Sequence, residues 1–190
     1  MTLWPGLGCA LWLLSTLLSV GVWRAMREGH ARLTRTRPLV AVLVGEVVAT
    51  AAVAYLGASG PPLAPPWSWF AVGLASAAAL VCGGAVTSCV LALADGSSRS
   101  GGPRVQRTIL RGGTWIGALE RLALTATLVA GWPEGLAAIV AVKAFARYPE
   151  LKAGQNSGAI ERFIVGTFTS LGWAAACAGT ALVLTRPGLG

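Results

Sequence analysis

The stretch WFAVGLASAAALVCGGAVTSCVLALA, residues 69–94, contains no charged side chain. No charged residue lies between Glu46 and Asp95, a range that also includes the proline-rich connection SGPPLAPPWSW. A helix needs about 20 consecutive apolar residues to cross the hydrocarbon core of a bilayer. We therefore predict that this stretch is a membrane-spanning helix and that the chain is an integral membrane protein.

The composition of the whole chain agrees with this prediction. The chain has 190 residues, of which 55% are hydrophobic and only 12% are charged, about half of the charged share that soluble domains carry. Its hydropathy resolves into six apolar segments, at residues 3–23, 38–58, 69–94, 114–131, 134–148 and 163–185. We predict an all-α, polytopic membrane helix bundle of six transmembrane helices in a single domain. The fifth segment is the shortest, and Lys143 and Arg147 interrupt it.

The basic residues lie in alternate connections between these segments. Of the 15 lysine and arginine residues, all except Arg186 fall on one side of a six-helix topology. By the positive-inside rule that side is cytoplasmic, which places both termini outside. We therefore expect a multi-pass protein of a bacterial inner membrane. The net charge of +8 then reflects topology and contact with membrane lipids rather than nucleic-acid binding.

The longest connection, residues 95–113, is predicted to be a cytoplasmic basic linker. Its first half is rich in glycine and serine, and its second half mixes basic with apolar residues. Such a pattern suits a short amphipathic turn on the membrane surface. We expect four side chains to contact lipid headgroups: Arg99, Arg104, Arg107 and Arg111.

Residue types that carry metal binding or catalysis are scarce. His30 is the only histidine, and the four cysteines all lie in predicted helices without a Cys-x-x-Cys pair. The chain also lacks a Walker loop and a G-x-S-x-G motif, which are signatures of phosphate binding and of nucleophilic catalysis. We therefore expect no metal, no cofactor and no enzymatic activity, and we interpret the cysteines as small apolar packing residues.

Small residues recur at helical spacing in three of the segments. Because lipid removes the hydrophobic drive between helices, such stripes indicate faces on which backbones approach closely. The third segment carries Ala71, Ala75, Ala78, Cys82, Ala85 and Cys89. The sixth carries Gly158, Arg162, Gly166, Ser170 and Ala174. The fourth carries Gly113, Gly117, Glu120, Ala123, Thr127 and Gly131.

The fourth segment also contains two adjacent charges, Glu120 and Arg121. Glu120 lies on the small-residue stripe and is expected to point into the bundle, where the helix returning after Pro133 offers Lys143 or Arg147 as a partner. Arg121 lies about 100° round the helix and is expected to extend to the cytoplasmic interface. This cluster is either an ion or proton relay or a static pair that fixes the register of the hairpin. Its position near the interface favours the static pair.

Glu46 lies deeper in the second segment than Glu120 does in the fourth. A charge inside a membrane must be paired or neutralised, and desolvation favours the neutral acid. Ala49, Thr50 and Ala54 share much the same helical face. Glu46 is therefore either a neutral side chain hydrogen-bonded to another helix or a site for a proton or an ion.

Three motifs follow in order from residue 115: WIGALERL, GWPEGLAAIVAVKAFARYPEL and GAIERFIVGTFTS. They resemble a family of small bacterial integral membrane proteins of unknown function, whose members carry I-G-x-L-E-R-L, then A-K-x-x-x-R, then an acidic residue before I-G-T-x-x-S. The matching positions are Ile116, Gly117, Glu120, Arg121, Lys143, Arg147, Glu161, Gly166, Thr167 and Ser170. Val142 and Val165 depart from the pattern. The resemblance covers about a third of the chain and implies no activity, but it adds Glu161, with its neighbour Arg162 at the cytoplasmic end of helix six, to the candidate residues.

Two functions fit these features. The first is a transporter or channel-like protein for an ion or small solute, which would use Glu46, Glu120, Lys143 and Arg147. The second is a non-catalytic membrane scaffold or accessory subunit, which would dock a partner protein or anionic lipid through the cytoplasmic basic loops. The expected partners are membrane lipids and either further copies of the chain or another membrane protein.

Overall fold

The computed structural model of the chain describes residues 3–27, 36–97, 111–153 and 157–185. These ranges contain six α-helices and no strand. The helices are α1 Leu3–Arg27, α2 Thr36–Ser59, α3 Trp67–Ser97, α4 Arg111–Val129, α5 Gly135–Ala153 and α6 Ser157–Thr185. The prediction of six helices is confirmed within these ranges. Most of the helices extend beyond the predicted apolar segments because helical hydrogen bonding continues into the more polar residues that flank each apolar run.

Three of the helices are long and apolar enough to cross a membrane: Val40–Ser59 in α2, Trp67–Ala94 in α3 and Ile160–Thr185 in α6. Shorter apolar stretches lie in α1, at Gly8–Gly21, and in α5, at Gly135–Ala146. The outer surface supports the same conclusion, because leucines of α1 and valines of α2 are exposed around the bundle. Contiguous apolar surface of this extent is unusual for a protein in water. These features of the described helices indicate a helical membrane protein.

The pairs α1–α2, α4–α5 and α3–α6 run antiparallel, and α3 and α6 form the centre of the bundle. The small-residue stripe of α3 is fully buried along its whole length, from Ala71 to Cys89, as predicted. Trp173 of α6 donates a hydrogen bond from Nε1 to the carbonyl of Ala78, at 3.3 Å. α1 and α2 pack on one side of this centre and α4 packs on the other, whereas α5 packs mainly against α4.

The connections at one end of the bundle are held by backbone hydrogen bonds. Leu63, between α2 and α3, donates to the carbonyl of Leu184 in the last turn of α6, at 2.9 Å. After α4 the chain turns at Gly131, whose φ of +77° is a conformation that glycine adopts without steric cost. Trp132 N–H then bonds to the carbonyl of Thr127 at 2.9 Å, which closes α4 with a Schellman motif.

Candidate functional site

Glu46 is buried where α2 meets α1 and α3. Its side chain is 4% exposed, and Ser19 of α1 donates a hydrogen bond from its hydroxyl to Oε1. The thiol of Cys82 on α3 also faces the carboxyl. The other carboxyl oxygen, Oε2, has no hydrogen-bond partner among the described residues. Glu46 is thus bonded to another helix through one oxygen only.

Polar side chains continue from Glu46 along the interface between α1 and α2. Trp12, Thr16 and Ser19 are spaced 4 and 3 residues apart on α1 and are all buried, so they share one helical face. Glu46 and Thr50 share one face of α2 in the same way. We call these five residues the polar seam. Thr16 satisfies its hydroxyl within its own helix, on the carbonyl of Trp12 at 2.7 Å.

Two thiols close the polar seam from the centre of the bundle. Cys82 of α3 faces Thr16, Ser19 and Glu46, and Cys177 of α6 lies close to both Cys82 and Glu46. Both side chains are fully buried and neither forms a disulfide. Across the described part of the chain, no group of three or more histidine, cysteine or acidic residues could hold a metal ion. The seam is therefore a hydrogen-bonding environment.

Glu120 forms an ion pair with Lys143 across the α4–α5 hairpin. The two side chains keep only 13% and 17% of their surface exposed. The prediction that the returning helix supplies a partner is confirmed, and Lys143 is that partner; the side chain of Arg147 lies outside what the structure describes. Close packing supports the hairpin near its turn, because a Cβ at Gly135 would lie 2.6 Å from Cγ2 of Thr127.

The prediction that Arg121 extends to the cytoplasmic interface is wrong. Arg121 is 6% exposed and donates to the hydroxyl of Ser170 on α6 at 3.2 Å and to the carbonyl of Leu80 on α3 at 3.0 Å. The inward face of α4 is formed by Arg121, Leu124 and Thr125. Glu120 lies on the neighbouring face of α4 and contacts Lys143 of α5. Arg121, one residue later, therefore faces the centre of the bundle.

Glu46 and Glu120 do not share one site. Glu46 contacts α1 and α3, whereas Glu120 contacts α5. The buried charge at the level of Glu46 is instead Arg121, on the other side of α3. Adjacent residues of α3 serve the two groups: Cys82 faces Glu46, and Gly83 leaves room for Arg121.

The remaining predicted residues contribute less to this centre. Glu161 is exposed and Arg162 is partly buried near the start of α6. Arg99, Arg104 and Arg107, and the side chain of Arg111, lie outside the described residues. Trp12, Thr16 and Ser19 were not among the residues predicted from the sequence. Their helical spacing was the available signal in the sequence. Only the structure shows that this face of α1 packs against Glu46 of α2.

Comparison of the chain with protein-family models, with curated proteins and with solved structures finds no match. The resemblance carried by the motifs after residue 115 therefore stays a prediction that rests on those residues alone.

Proposed function

We propose that this chain is a multi-pass protein of a bacterial inner membrane, with six transmembrane helices and both termini outside, that moves an ion or small solute. Glu46 is the group that takes up and releases the ion. The observation that carries this proposal is the half-satisfied carboxyl of Glu46, deep in the bundle and with one oxygen unpaired among the described residues.

Burying a carboxyl group with one unpaired oxygen costs free energy. An unpaired carboxylate in an apolar interior loses its hydration without compensation, so a proton or another cation must occupy it for much of the time. Ionisable side chains inside membrane helices are rare, and most of them mark pathways for ions or substrates. The surrounding hydroxyls and thiols offer hydrogen bonds without offering a fixed positive charge.

The other charged residues have a structural role in this proposal. Arg121 bonds to α3 and α6 and so ties three helices together. Glu120 and Lys143 neutralise each other and fix the register of the α4–α5 hairpin. Glu120 and Lys143 have each other as partners, and Arg121 uses both terminal nitrogens in bonds to two other helices although its Nε lacks a partner, whereas Glu46 is bonded through one oxygen only.

Flux in proteoliposomes tests the assignment. We expect Glu46→Gln, which keeps the size and one hydrogen-bonding oxygen, to reduce proton-coupled flux at least tenfold. Glu120→Gln is the matched control, because it also removes one intramembrane carboxylate but leaves Glu46 intact, and it should retain most of the flux. Equal flux in the wild type and in Glu46→Gln would refute the assignment of Glu46.

A second candidate function is that of a scaffold or accessory subunit, which would dock a partner protein or anionic lipid through the cytoplasmic basic loops. It is favoured by α5, which packs mainly against α4 and exposes Val142, Phe145 and Tyr148. A membrane partner packed on α5 would protect these side chains from lipid. Lipid-soluble photo-crosslinkers placed at Val142 would identify such a partner, and labelling by lipid alone would exclude one there.

A further inference from the structure

Three buried polar atoms without a partner lie in the polar seam. They are Nε1 of Trp12, Oε2 of Glu46 and Oγ1 of Thr50. Their residues are 0%, 4% and 5% exposed. Among the described residues only one other buried side-chain atom, Nε of Arg121, lacks a partner, and it lies across α3. Three of the four unsatisfied side-chain atoms found among the described residues thus lie in the polar seam.

The antiparallel packing of α1 and α2 brings these atoms to neighbouring levels. At one end of the interface a Cβ at Gly8 would lie 3.8 Å from Val53, and at the other end Ser19 bonds to Glu46. Trp12 lies between Gly8 and Ser19 on α1, and Thr50 lies between Val53 and Glu46 on α2. Both residues therefore occupy the middle of the same interface.

The chemistry of the three atoms identifies what fits between them. Native structures pair nearly all buried polar atoms with protein or with ordered water. The indole N–H can only donate, a carboxylate oxygen accepts, and a hydroxyl does both. A metal cation would be repelled by the indole N–H, and Mg²⁺ or Ca²⁺ takes about six or more oxygen ligands. Water accepts and donates, and a buried water typically makes about three hydrogen bonds.

We propose that the polar seam binds water between Trp12, Glu46 and Thr50, and that the ion exchanged by Glu46 is a proton carried by this water. In the uptake step an O–H bond of a hydronium ion breaks, its proton forms an O–H bond with Oε2, and neutral water remains in the seam; in the release step the O–H bond at Oε2 breaks and the proton returns to that water as hydronium. No electron is transferred. Water binding follows from the seam alone, whereas the passage of the proton across the membrane rests on the proposed function.

The groups around Glu46 are compatible with proton exchange. The titratable groups that face it are the thiols of Cys82 on α3 and Cys177 on α6. At that level α1 presents the hydroxyls of Thr16 and Ser19. In the described part of the chain, no lysine, arginine or histidine contacts the carboxyl to hold it permanently ionised.

Solid-state NMR of the protein in lipid vesicles, with ¹⁵N-labelled tryptophan, tests the water site. We expect an exchange or cross-relaxation peak between water and the indole N–H of Trp12. Trp173 is the matched control, since its buried N–H already donates to Ala78, and it should show none. Trp12→Phe and Trp173→Phe assign the two signals, and Trp12→Tyr replaces the first variant if it does not fold. A Trp12 signal without contact to water would overturn the proposal.

Infrared spectroscopy of the same vesicles tests the proton. A carbonyl band of a protonated carboxylic acid should titrate with pH, disappear in Glu46→Gln and persist in Glu120→Gln. Its midpoint should be the same in sodium, potassium and choline chloride, and Thr50→Val should shift it. A midpoint that falls as sodium rises would show sodium competing for the carboxyl and would overturn the proton assignment.

These measurements need no gradient, so they separate the two proposals. A water peak and a titrating band, together with flux that is unchanged in Glu46→Gln, would refute the role of Glu46 in transport and leave the water site standing. A Trp12 indole N–H without a water peak, together with flux that depends on Glu46, would refute the water site and leave the transport role of Glu46 standing.

Discussion

Arg121 occupies the space that a side chain at Gly83 would fill. A Cβ at Gly83 would lie 2.5 Å from Cδ of Arg121 and 3.2 Å from Cδ1 of Trp173. The guanidinium is held on both sides, by Leu80 and Ser170, so it has little freedom to move away. Arg121 can therefore occupy the centre of this bundle only because residue 83 is a glycine, whose side chain is a single hydrogen atom.

We expect Gly83→Ala to lower the free energy of unfolding by about 1–3 kcal/mol, the usual cost of overpacking a core. Gly73→Ala on the same helix is the control, because nothing lies within 4 Å of a Cβ there, and it should be neutral or slightly stabilising. Thermal unfolding of both variants in detergent measures the difference. Equal melting temperatures for the two variants would contradict the close packing of Arg121.

The α4–α5 hairpin is the element whose geometry depends most on local sequence. Its turn requires the positive φ of Gly131, and its two helices touch through Gly135 and Thr127 and through Glu120 and Lys143. Because α5 has few other contacts, the turn and these pairs decide where α5 lies.

Gly131→Ala should therefore destabilise this element in particular. The left-handed conformation costs an L-residue about 1–2 kcal/mol, and Gly172→Ala, in a helical position with open space around its Cβ, is the control. Hydrogen exchange read by mass spectrometry should show faster exchange in α5 of Gly131→Ala, with α3 and α6 unchanged. Uniform protection in both variants would show that the turn does not limit the hairpin.

The individual helices could be predicted from the sequence, but the face that each helix turns toward the centre of the bundle could not. Apolar runs mark each helix, and the buried stripe of α3 follows from the spacing of its small residues because α3 is surrounded by other helices. The pairing of Glu120 with either Lys143 or Arg147 follows from distances along a tight hairpin, and the structure shows that Lys143 is a partner. The side of α4 that carries Arg121 faces inward because Gly83 of α3 leaves space for the side chain and Ser170 of α6 accepts its hydrogen bond. The contact of Ser19 with Glu46 depends on α1 and α2 being neighbours. Neither fact is encoded within one segment.

For the whole molecule, the distribution of basic residues predicts orientation. All four native cysteines are buried, so introduced cysteines can be labelled against a low background. Ser59→Cys, at the end of α2, should react with a membrane-impermeant maleimide added outside the inner membrane. Arg104→Cys, in the basic linker, should react only after that membrane is permeabilised. The reverse pattern would invert the proposed topology.

Glu46 and Arg121 lie beside Cys82 and Gly83 of α3, which are adjacent residues about 1.5 Å apart along the helix and about 100° apart around it. Whenever Glu46 is ionised, the dipole between the two groups therefore runs across the bundle rather than along its helix axes, and so lies nearly perpendicular to the field across a membrane that the helices span. Voltage does work on charge that moves along the membrane normal, about 2.3 kcal/mol per elementary charge per 100 mV. These two fixed side chains consequently add almost nothing to gating by voltage. Under the proposed function, any voltage dependence of flux would therefore measure the electrical distance that the ion itself travels to reach Glu46.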